Sequence, residues 1–184
     1  PLAHCTTTPS YTWVPNPLVT VNPERFVFKT PDKQNAYMQV LQSIAVSDNE
    51  PDYPLLTLAN FVLGQGGSSR LWIRIREKGG LSYDVRSGVS WNNYEPNSGW
   101  SATAIFAPQN RAKVEAAFKE EVQRLLKEGL TQKELDDAKQ SLLNYRRLSR
   151  AQDGNLAGAL ASNLKLQRSF AISQKVDDQI AAAT

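Results

Sequence analysis

Hydrophobic positions follow a period of two in some stretches of this chain and a period near 3.6 in others, which separates strands from helices. Arg25–Lys29 (RFVFK) is rich in aromatic and β-branched residues and reads as a strand. Asn35–Val46 (NAYMQVLQSIAV) is apolar on both faces, as expected of a central strand covered on at least one side. Thr30-Pro31-Asp32-Lys33 between them is turn chemistry, so a hairpin is expected. Leu55, Leu56, Leu58, Ala59, Val62 and Leu63 then make an apolar helix, with Asp52 as N-cap, Pro54 in its first turn and Gly64 as its stop. Ser68 or Ser69 is placed to cap a short helix over Arg70–Lys78, which Gly79-Gly80 ends. Leu81–Asn92 alternates as a strand, with Tyr83, Val85, Ser87, Val89 and Trp91 on one face. Trp100–Ala107 gives a fourth strand, ended by Pro108.

The remainder is helical. Gln109–Glu128 carries Val114, Ala117, Phe118, Val122, Leu125 and Leu126 on one stripe and stops at Gly129. Thr131-Gln132-Lys133-Glu134 has the spacing of a capping box, followed by Leu135, Ala138, Leu142 and Tyr145 on one side. Further helices are expected at about Asp153–Arg168 and from Ser173 onward. The order β-β-α-α-β-β-α-α-α-α predicts an α+β fold: an antiparallel or mixed sheet of hairpins with helices packed on one face. Residues 1–23 hold half of the ten prolines and read as a proline-rich linker or strap; 24–184 read as one domain. The last helix shows no stop signal, so the domain is expected to be truncated there.

Composition narrows the chemistry. The 184 residues suffice for one domain with a proper core, and no apolar run approaches the ~20 residues of a membrane span. A single His (His4) cannot supply an HExxH or inverted HxxEH pair, and a single Cys (Cys5) makes no internal disulfide or CxxC site. A complete metallo- or triad hydrolase is thereby excluded for the chain alone. One Cys is compatible with cytosol and periplasm alike. The 21 basic and 18 acidic side chains give a net charge of +3, too weak a footprint for a nucleic-acid partner.

Four features bear on a site. Gly64-Gln65-Gly66-Gly67 lacks the GK[ST] ending of a phosphate loop and follows a helix, so it reads as a helix–helix joint. Trp91, Tyr94 and Trp100 flank one turn and suit either stacking on a base or sugar or closing the core. The adjacent pairs Asp136-Asp137 and Asp177-Asp178 point in different directions on helices and form no dyad. Ser69–Val85 (SRLWIRIREKGGLSYDV) is the most distinctive. It sets Arg76 and Tyr83 seven residues apart across a Gly-Gly break, where a permanent forked donor and a neutral donor can hold a peptide carbonyl or a developing oxyanion. The structural alternative is Arg76 stacked on Trp72, one turn back.

This segment resembles the SRL…(L/I)REK.GL.Y.V signature of the pitrilysin/insulinase family of zinc metallopeptidases. FKTPDKQNAYMQV and DNEPDYPLLTLANFVLGQGGSSRLW upstream, and LKEGLTQKELDDAKQSLL downstream, are similar to the family's non-catalytic C-terminal half. The resemblance covers roughly residues 24–170. It implies one half of a clamshell that closes on an unfolded peptide, with zinc held by an HxxEH motif on an N-terminal catalytic half in the same chain or a partner subunit. It implies no zinc in this chain, while the weak net charge and the lack of a membrane-length apolar run set the expectation of no nucleic-acid partner and no membrane insertion. Arg76 would fix the substrate backbone, and Tyr83 would donate a hydrogen bond to the scissile carbonyl or oxyanion. The family also contains catalytically dead core subunits, so a scaffold of the same fold is the alternative. The weaker alternative is a nucleic-acid or sugar binder.

Overall fold

The computed structural model describes residues 12–184; His4 and Cys5, with the first two prolines of the expected strap, lie outside them. Three strands form one antiparallel sheet: β1 (Ala36–Ile44), β2 (Asp84–Ser90) and β3 (Ser98–Phe106), in the order β1-β3-β2. The register sets Ala36 against Phe106 and Ile44 against Ser98 on one side of β3, and Asp84 against Ile105 and Ser90 against Gly99 on the other. The fold is α+β with its helices on one face, as the alternation in Ser98–Phe106 implies. Ala102, Ala104 and Phe106 are buried beneath the helical layer.

Two strand expectations are corrected. Arg25–Lys29 forms no strand, and Phe26 and Phe28 stand largely exposed. The turn after it does form, closed by the Lys33 N–H donating to the Thr30 carbonyl at 3.0 Å. The arm preceding that turn instead sends Arg25 to Glu115. Strand propensity acts through cross-strand packing, and here no neighbouring edge meets these residues. The apolar segment at 35–46 becomes an edge strand, not a central one, and Tyr37 and Leu41 are exposed on the sheet face opposite Ala102, Ala104 and Phe106.

The core against the sheet joins Val85, Ala102, Ala104 and Phe106 to Leu63, Leu71, Ile75, Val114, Ala117 and Phe118. The last three come from α2 (Arg111–Glu128), which ends at Gly129 with φ +69°, the left-handed conformation that favours glycine. Leu126, expected on the buried stripe, is 81% exposed; Glu121 occupies a buried position instead. α1 (Tyr53–Asn60) begins at Asp52 with Pro54 in its first turn, but the Asp52 side chain makes no capping bond. α1 does not stop at Gly64. It runs into a π-helical turn, Phe61–Gln65, and ends where Gly66 turns extended. Gly64 serves close approach: a Cβ there would fall 2.6 Å from the Ser87 backbone nitrogen. Beside it, buried Asn60 accepts from Ser87 Oγ at 2.8 Å and from Trp100 Nε1 at 3.0 Å.

A second core lies among α1, α3 (Gln132–Arg150) and α5 (Ala171–Ala182), with Leu58, Leu135, Ala138, Leu142, Val176 and Ile180 at its centre. α3 starts with the expected capping box: Thr131 Oγ1 accepts from the Glu134 N–H, and the Glu134 carboxylate accepts from the Thr131 N–H. Its last expected inward residue, Tyr145, is 57% exposed. α4 (Asp153–Lys165) buries none of its residues fully.

Candidate functional site

The signature segment folds as a second π-helical turn, Trp72–Glu77, followed by a glycine break and the start of β2. The expected serine cap is not made: Ser69 Oγ is buried without a partner. The π register is seen in the Lys78 N–H donating to the Ile73 carbonyl at 2.8 Å. π turns recur at functional sites, because the widened turn re-aims side chains relative to an α-helix. Leu71 and Ile75 anchor the inner side at 0% exposure, leaving Arg76 outside. Gly79 is required by proximity, since a Cβ would lie 2.7 Å from the Arg74 carbonyl oxygen; Gly80 is required by φ +56°.

Arg76 is exposed, with its guanidinium 4.1 Å from the centroid of the Trp72 ring. The neighbouring cations are paired, Arg74 with Glu120 and Arg86 with Asp84, while Arg76 enters no ion pair among the described residues. Trp72 is itself fixed, its Nε1 donating to Glu77 at 3.1 Å. The expected structural stack on Trp72 is thus formed, and it holds the guanidinium outward with no hydrogen bond or ion pair among the described residues.

Tyr83 sits one residue before β2, and its N–H donates to the Ile105 carbonyl at 2.9 Å. The residue is 78% exposed. Ser82 reinforces the backbone beside it by donating to the Asp84 and Ile105 carbonyls. On the other side, Asn110 at the start of α2 donates to the Leu81 carbonyl. The Gly80 N–H donates back to the Arg76 carbonyl at 3.0 Å, so the break between the two residues is itself hydrogen-bonded. Arg76 and Tyr83 therefore flank one braced connection at the end of the sheet where β2 begins. Each faces outward, and the two side chains make no bond to each other among the described residues.

The same segment carries an opposite case. Arg70 is 7% exposed and donates through Nε and Nη2 to Glu134 at 2.7 and 2.8 Å, and through Nη2 to the Gly129 carbonyl at 2.8 Å. The guanidinium beside Glu134 holds that carboxyl at about 2, well below 4.5, and the Thr131 donors add to the effect. This ion pair ties the signature helix to the Gly129 stop and the α3 cap. Glu134 was legible as a capping residue, but its partner lies 64 residues upstream.

The other candidates separate. Trp100 enters the core near Phe118, Trp91 meets Tyr53 edge-on, and Tyr94 stacks with Trp13. They form no common stacking platform. Asp136 and Asp137 bind Gln132 and Lys133, while Asp177 receives Arg146 and Arg150 and Asp178 receives Gln174. Gly64–Gly67 joins two helical segments. Sequence reasoning missed Arg168, which donates to Asp48, Asn49 and the Asn93 carbonyl and so pins three loops together. It also missed the clasp in which Glu95 accepts from Trp13 Nε1 and the Asn16 N–H. No group of three or more His, Cys, Asp or Glu is placed to hold a metal ion among the described residues. No helix is long and apolar enough to cross a membrane among them.

A family model described as the peptidase M16 inactive domain matches residues 7–142. The chain is similar to the non-peptidase homolog YmxG of Helicobacter pylori (strain ATCC 700392 / 26695), with 34% identity over 122 residues, 65% of this chain and 27% of that protein. It thus spans about a quarter of the length of that curated relative. Among solved structures it is similar to the peptidase M16 inactive domain from Pseudomonas fluorescens, at 25% identity and TM-score 0.72, covering 83% of this chain and 36% of that one. A protease from Helicobacter pylori has the same fold, at 18% identity and TM-score 0.73, over 84% of this chain and 37% of that one. The family match covers most of the chain and includes the whole of Ser69–Val85, and the fold agrees. The chain belongs to the peptidase M16 inactive domain family, the non-catalytic half-domain of pitrilysin/insulinase-type metallopeptidases.

Proposed function

We propose that this domain binds peptide and completes the active site of a zinc-dependent endopeptidase whose zinc lies on an N-terminal catalytic half, in the same chain or a partner subunit. Alone it performs no hydrolysis. The observation that carries this reading is that Arg76 and Tyr83 are exposed and uninvolved in the cores, yet project from backbone braced on both sides. Such pre-positioning is what transition-state stabilisation requires. Zinc on the other half would supply the activated water. Tyr83 would donate its hydroxyl proton in a hydrogen bond to the scissile carbonyl oxygen as negative charge develops there. Arg76 would donate from its fork to a neighbouring peptide carbonyl and fix the substrate backbone. The outer edge of β1, which pairs with β3 alone among the described residues, would offer main-chain hydrogen bonds to an extended peptide.

The test is Tyr83→Phe in the complete enzyme. Loss of one oxyanion donor lowers kcat by about 10²-fold with KM nearly unchanged. Wild-type turnover in that variant discards the role. A second reading, a peptide-binding or scaffold subunit without chemistry, is favoured by the similarity to a non-peptidase homolog. It predicts that the complete protein, supplied with zinc, leaves unfolded peptides uncut.

A further inference from the structure

The strap of residues 12–30 has no regular secondary structure and is exposed throughout except at Leu18. It is nevertheless fastened to the loop between β2 and β3. Both carboxylate oxygens of Glu95 are taken there, one by Trp13 Nε1 and one by the Asn16 N–H, each at 2.8 Å. The Asn16 carbonyl accepts from Asn97 Nδ2 at 2.8 Å, and the Trp13 ring lies on Tyr94 with centroids 4.4 Å apart. Two side chains of the loop thus read the backbone of one residue, donor and acceptor together, while an aromatic ring receives the indole.

The strap suits this reading by its sequence. Pro15 and Pro17 carry no N–H and bias the residues before them, Val14 and Asn16, toward extended backbone. Asn16 therefore offers the one main-chain donor between two prolines, and Glu95 takes it. The loop is braced by groups that owe nothing to the strap. Asn92 Oδ1 accepts from the Tyr94 and Glu95 N–H groups at 2.8 and 3.1 Å. The Asn97 N–H donates to the Glu95 carbonyl at 2.7 Å, and Arg168 donates to the Asn93 carbonyl at 3.0 Å. The loop can thus keep its shape when the strap leaves. Packing does not lock the strap in, since Trp13 is 42% exposed and borders a cavity of about 460 Å³. From Pro17 to Glu24 the strap makes no hydrogen bond among the described residues, and its next fastening is Arg25 on Glu115.

We infer that the β2–β3 loop is a recognition site for an extended chain segment that carries an indole and, three residues on, an available main-chain N–H and C=O, and that Trp13–Asn16 is its resident, releasable occupant. The strap is then a latch. Seated, it fixes the chain's entry to the domain at the loop. Released, that entry shifts to Arg25, at the end of a tether from Trp13 to Glu24 that spans about 20 Å. The latch stands whether or not the complete protein cuts peptide.

The test uses the complete protein with a chelator present. Hydrogen exchange is followed by mass spectrometry in the fragment that holds Asn16. Binding is followed by the anisotropy of a fluorescein-labelled peptide of residues 12–18, TWVPNPL, and of its twin with alanine for the tryptophan. Trp13→Ala is expected to raise exchange at Asn16 about 10-fold, three residues from the change, because the clasp opens as one unit. Its melting temperature is expected to stay unchanged, because no strap residue belongs to either core. TWVPNPL is expected to bind Trp13→Ala about 10-fold more tightly than wild type, where the resident strap competes at millimolar effective concentration. The alanine twin should not bind, and adding Glu95→Ala to Trp13→Ala should abolish binding. Glu95→Gln keeps the shape and one acceptor, and should give intermediate exchange at Asn16. Unchanged exchange at Asn16 in Trp13→Ala, equal affinity of TWVPNPL for variant and wild type, binding of the alanine twin, or binding that survives loss of Glu95 overturns the site. A melting temperature lowered by several degrees in Trp13→Ala makes the clasp part of the fold and overturns the latch.

Discussion

Arg70 and Arg76 lie six residues apart in one signature segment and have opposite fates. Arg70 is 7% exposed, with Glu134 and the Gly129 carbonyl on its donors. Arg76 is exposed on the π turn that follows, over an indole, with no hydrogen bond or ion pair from it among the described residues. Burying a cation demands a partner, so the first arginine is committed to the fold. The second costs the fold little and is available to something that is not part of it. A single motif thus joins a structural fastener to a presented donor, and the fastener keeps the π turn from which the donor projects in place.

Arg70→Met should break this contrast most severely. It leaves a partly buried carboxylate without its cation and lowers unfolding free energy by about 3 kcal/mol in urea titration. A loss below about 1 kcal/mol would place Arg70 with the surface arginines. Acidification probes the same pair. Glu134 is held at about 2 in the fold against 4.5 unpaired, so its stabilisation is complete above about pH 4.5 and is lost as pH falls toward 2. After solvent screening the expected loss is about 2 kcal/mol, and Arg70→Met should flatten that part of the stability–pH curve. An equally steep curve in the variant would assign the acid sensitivity elsewhere. On the exposed side the effects shrink. A double-mutant cycle of Trp72→Leu and Arg76→Ala should give a coupling of about 0.5 kcal/mol, the size of an exposed cation–π contact. Zero coupling would mean that the stack does not orient the donor. Smallest of all, Tyr83→Phe should move stability by less than about 0.5 kcal/mol. A larger shift would reassign the hydroxyl to the fold.

The same contrast explains what was legible in the sequence. The alternation of Trp100, Ala102, Ala104 and Phe106, the Gly129 stop and the Thr131–Glu134 box are local patterns, and each formed as read. So was the stacking of Arg76 on Trp72, one helical turn apart. Features set by distant partners were not legible. RFVFK has strand composition but meets no edge among the described residues, and Leu126 is turned to solvent while Val122 and the adjacent Leu125 take the contacts with the sheet core. The first π turn carries α1 past its expected stop where Gly64 passes Ser87 closely, a contact that depends on tertiary packing. Arg70 with Glu134 lies in the same class. Nothing at either position names the other.

Arg168 extends this to the time domain. Its bonds to Asp48 span 120 residues, and its bond to the Asn93 carbonyl spans 75. Closing such loops early is entropically unfavourable, so these contacts are expected to be missing from the folding transition state. An interaction formed after the barrier acts on escape from the native state and leaves the approach to it unchanged. Arg168→Met is then expected to steepen the decay of the folded population, with an unfolding rate raised several-fold and a refolding rate unaltered in stopped-flow chevrons. One guanidinium among three loops would set how long the domain stays folded, and so how long the braced Tyr83 connection remains presented between unfolding events.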